Sequence, residues 1–142
     1  MPLLVCGCLP IFLMPLKSDT VCVQHGMQTV TLIINELPYK NNKAWNALRL
    51  AEALSDQSAR VNVFLLEDGV DAGKVNQDTQ EKKYNLETMV KELAGRGIPF
   101  LACKTCLTSC GMSREKLIDG VKVGGMSDLA KWVVESDNVL VF

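Results

Sequence analysis

The chain is 142 residues long, enough for one domain whose core needs no cross-links. Its hydrophobic fraction of 48% excludes a disordered chain. A formal net charge of -1 supplies no basic field for gripping phosphates, so neither composition nor charge supports direct nucleic-acid binding.

Residues 1–26 differ in character from the rest of the chain. Residues 3–16, LLVCGCLPIFLMPL, are apolar but contain Gly7, Pro10 and Pro15, and they are too short to cross a bilayer as a helix. No Lys or Arg precedes them, and no small-x-small cleavage site comes after them, so they lack the form of a secretory signal. Residues 1–26 are expected to be a leader, disordered or produced by an over-extended start, with one domain over residues 27–142. No membrane association is expected. The six cysteines form two groups, Cys6, Cys8 and Cys22 near the start and Cys103, Cys106 and Cys110 later, separated by ordinary α/β pattern. A stapled secreted scaffold scatters its cysteines between short segments, so the expectation is reduced thiols in a cytoplasm.

From Gln28 to Asn35 the apolar residues Val30, Leu32, Ile33 and Ile34 make the near-continuous run of a parallel strand covered on both faces. Ala44, Ala47, Leu48, Ala51 and Leu54 then recur at helical spacing between Asn42 and Asp56. Arg60 to Leu66 is the second strand, and Glu67-Asp68-Gly69-Val70 is a turn. Residues 71–84 are polar and aperiodic, which predicts a long surface connection with the length of a functional lid. Asn85 is placed to cap a helix with Leu86, Met89, Val90, Leu93 and Ala94 on one face, ended by Gly95. Ile98 to Cys103 is the third strand, with Pro99 tolerated at its start. Short helical pieces are expected around Cys106 to Gly111 and Ser113 to Ile118, and a short strand over Val121 to Val123. Ser127 is the candidate cap of a last helix bearing Met126, Leu129, Ala130 and Val133, and Val139 to Phe142 closes as a strand. The alternation predicts a three-layer α/β/α sandwich around a mainly parallel sheet of about five strands. Trp45, Trp132 and Tyr84 suit either a core or an interface.

The third strand ends on Cys103 and begins the spacing C-x-x-C-x-x-x-C with Cys106 and Cys110. Cys103 therefore stands at the carboxyl end of a strand and the amino end of a helix, where open α/β sheets place reactive groups and where a helix start favours a thiolate. Lys104 beside it, with Arg114 and Lys116 further on, adds positive potential. Several readings fit the three thiols. A persulfide carrier needs one exposed cysteine of low pKa. A dithiol switch needs two within bridging distance, which the Cys103/Cys106 spacing allows. Three thiolates fall one short of a closed zinc site, and His25, the only histidine, lies in the leader. An iron–sulfur cluster wants four cysteines, so it would have to be shared between subunits. Small buried apolar residues are the remaining reading. Asp68, at the end of the second strand, either faces the same crevice as Cys103 or serves only its turn. There is no phosphate-binding glycine loop, no G-x-S-x-G elbow and no histidine base within residues 27–142, so neither a nucleotide cofactor nor a hydrolase is expected.

On these residues, 27–142 resemble the DsrE/DsrF-like family, and within it most closely the YchN-type branch. Cys103 falls at the position of the family's sulfur-carrying cysteine, and Cys106 matches the second cysteine of the C-x-x-C branch. Cys110-Gly111 stands where the family usually carries Arg-Gly, so the arginine is missing here. Val63 to Val70, Gly124-Gly125-Met126 and Asp137 to Phe142 are also similar to the family. The resemblance implies a homotrimer or homohexamer that carries sulfane sulfur as a Cys103 persulfide between donor and acceptor proteins. Cys106 and Cys110 would be further reacting thiols. By their position in the chain Asp68, Lys104 and Gly111 are the candidates around the substrate, and no cofactor is expected. The alternative is a thiol-based metal-binding or regulatory oligomer without transferase activity, its cysteines meeting between subunits.

Overall fold

A computed structural model describes residues 26–142. The expected leader, with Cys6, Cys8, Cys22 and His25, lies outside the described residues. Five strands and four helices alternate along the chain: β1 (Thr29–Ile34), α1 (Lys43–Asp56), β2 (Arg60–Leu65), α2 (Leu86–Gly95), β3 (Phe100–Cys103), α3 (Lys104–Ser109), β4 (Val121–Gly124), α4 (Met126–Glu135) and β5 (Asn138–Val141). The strands form one parallel sheet in the order β4-β3-β2-β1-β5.

That order follows from how the apolar residues are distributed. β1 reads TVTLII and is buried from Val30 to Ile34, and β2 is buried at Val61 and from Val63 to Leu65, so both are inner strands needing cover on two faces. From β1 to β4 the chain moves steadily towards one edge, and right-handed crossovers put α1, α2 and α3 on one face. The connection from β4 to β5 runs back across the whole sheet, so the same rule puts α4 on the other face. There Trp132 packs edge-on against Phe64, with ring centroids 6.2 Å apart. The hydroxyl of Thr31, fully buried on β1, pairs with Ser136 Oγ at 2.7 Å and accepts from Asn62 Nδ2 at 3.2 Å. A buried hydroxyl is thereby satisfied and the end of α4 is tied to the sheet.

α4 is the one helix on that face among the described residues, and it covers the inner strands but not the β5 edge. Val134 is 85% exposed on α4, and Val141 is 61% exposed on the edge strand β5. Trp45 packs at a tilt against Tyr84, ring centroids 5.1 Å apart and planes at 58°, near the starts of α1 and α2.

Several local expectations are corrected. α2 is capped as predicted, with Asn85 Oδ1 accepting from the Thr88 amide at 3.0 Å. It ends at Gly95 as expected, and the chain then reverses through Gly97, at φ +91. α4 is capped by Gly125, not Ser127: the Gly125 amide donates to Asp128 Oδ2 at 2.7 Å and its carbonyl receives the Asp128 amide at 3.1 Å. The stretch 71–84 is not a free lid. Its first residues complete a 3-10 turn, Glu67–Gly73, in which Ala72 and Gly73 are buried. Gln77 then fastens the remainder, donating through Nε2 to the carbonyls of Ala72 and Lys74 and through its amide to Glu87.

Candidate functional site

All five strands being parallel, their carboxyl ends share one edge of the sheet, and the three cysteines gather there at the end of β3. In β3, Phe100, Ala102 and Cys103 are buried, and Cys103 pairs in register with Gly124 of β4. Cys103 keeps extended dihedrals (φ -60, ψ 117) and is the N-cap of α3. The sequence permits this because the apolar strand FLAC runs directly into KTCLTS, in which Leu107 faces the core.

The three thiols are graded in exposure. Cys103 is only 4% exposed, Cys106 is half-buried and Cys110 is exposed. Cys103 Sγ accepts a hydrogen bond from the Cys106 amide at 3.4 Å. Cys106 Sγ in turn accepts from the amide of Glu67 at 3.1 Å. Burial pushes the Cys106 thiol above its ordinary pKa, and its hydrogen bond with Cys103 adds to this; the Glu67 amide opposes both. The two thiols are thus close enough to affect each other's protons. Cys110 closes α3, its amide bonded to the Cys106 carbonyl, and Gly111 follows in the left-handed region at φ +64.

The residue that sequence reasoning missed is Glu67. It is non-glycine at φ +50, an uncommon conformation that turns its amide towards α3. Two neighbours hold it there. The Leu66 amide donates to the Ile34 carbonyl at 2.8 Å, and Gly69 lies so close to β1 that a Cβ would sit 2.0 Å from the Ile34 oxygen. The signal available in the sequence is Gly69 in the turn Glu67-Asp68-Gly69-Val70; the contact with Cys106 spans 39 residues and leaves no local mark.

The other expected site residues are less engaged. Asp68 is exposed on the 3-10 turn, and the group reaching the thiols from that turn is its neighbour's amide rather than its carboxylate. Lys104 is exposed at the start of α3, where its carbonyl accepts from Thr108 Oγ1. Gly111 is exposed with open space around it. Arg114 and Lys116 are exposed on a 3-10 turn. α3 has six residues, and the aligned amide it offers the Cys103 sulfur is that of Cys106. The site also lies away from the place where the strand order reverses, between β1 and β5, which is the usual ligand crevice of open parallel sheets. Among the described residues, no three Cys, His, Asp or Glu side chains are arranged to hold a metal ion. No helix among them is long and apolar enough to cross a membrane.

A small parallel α/β domain with a strand-ending cysteine and a second thiol beside it defines a class of thiol protein. Residues 28–142 match the DsrE/DsrF-like family, and the chain belongs to that family. It is 38% identical over 118 residues to protein YchN of Escherichia coli K12, covering 82% of this chain and all of that one. An uncharacterized protein of Methanopyrus kandleri is also 38% identical over 118 residues, covering 83% of this chain and 97% of its own length. The crystal structure of the Escherichia coli YchN protein superposes with a TM-score of 0.77 over 82% of this chain and 100% of that one. A protein of unknown function from Methanobacterium thermoautotrophicum shares the fold, with a TM-score of 0.68 at 21% identity over 81% of this chain and 99% of that one.

Proposed function

We propose that this protein is a sulfur-relay component that carries sulfane sulfur as a persulfide on Cys103. The observation that carries the reading is the place of Cys103, which ends an inner strand and caps a helix beside a second thiol. It is buried rather than exposed as a carrier requires, so a donor reaches it only after a local opening. Membership of the DsrE/DsrF-like family supports a sulfur-relay role.

The chemistry needs no resident cofactor. The Cys103 thiolate attacks the outer sulfur of a donor persulfide, a sulfur–sulfur bond forms on Cys103, and the donor leaves as its thiolate. An acceptor thiolate later attacks that outer sulfur and releases Cys103. Burial of Cys103 protects the carried sulfur from solvent thiols. Burial raises the Cys106 pKa and so disfavours its thiolate as the attacking group. Donor and acceptor are proteins of the same relay, and the working form is a homo-oligomer.

The test is anaerobic loading with a persulfide donor followed by mass analysis of the peptide containing Cys103, Cys106 and Cys110. One sulfur mass is expected on Cys103 in the parent and none in Cys103→Ser. Equal sulfur uptake by the variant would sink the reading. Zinc or iron bound at a fixed ratio per subunit, with no sulfur gain, would move the thiols to the ligand role of the alternative reading.

A further inference from the structure

We infer that Cys106 resolves the Cys103 persulfide when no acceptor takes it, releasing hydrosulfide and closing a Cys103–Cys106 disulfide. This is a second activity of the site and rests on the carrier reading.

Three observations support it. The Cys106 amide lies 3.4 Å from the Cys103 sulfur, so the two residues sit as N-cap and third residue of one helical turn. Positions three apart on such a turn place their Cβ atoms about 5–6 Å apart, and a backbone shift of about 1–2 Å in the first turn of α3 brings them to disulfide distance. The Glu67 amide, 3.1 Å from the Cys106 sulfur, supplies a fixed donor for the charge that develops there as the proton leaves. Cys110 lacks both contacts: it is exposed beyond the end of α3, where its amide is bonded to a carbonyl.

The step balances without an external oxidant. Cys106 sulfur attacks the inner, Cys103 sulfur of Cys103–S–S⁻; the new bond joins the two cysteines, and the bond to the outer sulfur breaks. The outer sulfur takes both electrons of that bond and the Cys106 proton, leaving as HS⁻. The two cysteine sulfurs are oxidised to the disulfide as the sulfane sulfur is reduced. Reopening requires a dithiol reductant. Because the Cys106 proton is held tightly, release is slow at neutral pH and quickens as pH rises, which gives an acceptor time to collect the sulfur first.

The experiment loads the full 142-residue chain with glutathione persulfide under anaerobic conditions and removes the donor. Free sulfide and the masses of the Cys103–Cys110 peptide are then followed in the parent, Cys106→Ser and Cys110→Ser. The parent should gain one sulfur on Cys103, then lose it as one equivalent of sulfide while the peptide ends two hydrogens lighter than its reduced form. Cys106→Ser should keep the sulfur and lose sulfide release, and Cys110→Ser should behave as the parent. Diamide treatment of unloaded parent, which should join Cys103 to Cys106, checks the pairing independently of loading. Sulfide release from Cys106→Ser at the parent rate, or a parent that holds its sulfur indefinitely, overturns the inference and leaves the carrier intact. Absence of sulfur on Cys103 in all three proteins overturns both.

Discussion

Cys103 and Cys106 differ in what holds them. Cys103 is fixed by its strand and is almost completely enclosed, whereas Cys106 is half-buried and held through its sulfur by a backbone amide from another part of the chain. For Cys106 the folded-state pKa is raised above the ordinary value of 9.0, so folding favours the protonated thiol. The stability this contributes is fully present below the unfolded-state pKa and is lost as pH rises through the folded-state value. Iodoacetamide labelling of Cys106 in Cys110→Ser, mapped by peptide across pH, should therefore show a midpoint above 9.0. Replacing Cys103 by Ala should move that midpoint down, since Cys103 is one of its causes. A midpoint at or below the ordinary value would overturn the description of this thiol. Cys110 is exposed and outside the contacts that join the first two thiols.

Between the elements, the turn after β2 governs the geometry of the site. Gly69→Ala would put a Cβ against the Ile34 carbonyl, which is already bonded to the Leu66 amide, so the backbone of the turn has to give. A cost of roughly 1–3 kcal/mol or more is expected, read as a fall in melting temperature, together with faster labelling of Cys106 as the Glu67 amide is displaced. Gly111→Ala is the comparison: it has a left-handed φ but open space, so only about 1–2 kcal/mol of backbone strain is expected, with little change at Cys106. Gly111→Ala falling further than Gly69→Ala would refute this account. The strands and the Asn85 cap were legible in the sequence because runs such as TVTLII and a side-chain oxygen beside its own helix are local signals. Gln77 and Glu67 were not: each acts through atoms brought together only by the fold, and Gln77 sits in a polar stretch whose composition alone says solvent. At α4 the local signal pointed to the wrong residue, because a backbone amide paired with Asp128 displaced the hydroxyl of Ser127 from the capping role.

For the whole molecule, the unequal covering of the sheet sets the expectation for assembly. Among the described residues one face carries three helices and the other α4 alone, while Val134 on the outer side of α4 and Val141 on the β5 edge are largely bare, an arrangement that a second copy of the chain would cover. Sedimentation equilibrium should give a mass above that of one chain, and Val134→Glu with Val141→Lys should lower it without unfolding the domain. A monomeric parent would remove the prediction. The thiols lay within reach of sequence reading because strand polarity puts every carboxyl end on one edge, but the placing of α4 alone on its face depends on the long return from β4 to β5, which no local pattern encodes. That strand polarity has a practical consequence for handling the protein. β5 runs parallel to β1, and the Phe142 amide bonds to the Ile33 carbonyl, so a tag fused after Phe142 emerges on the same rim as Cys103. A tag ahead of Gly26 is joined at the opposite rim, beside the start of β1. A label intended to leave donors and acceptors an open approach belongs on the latter.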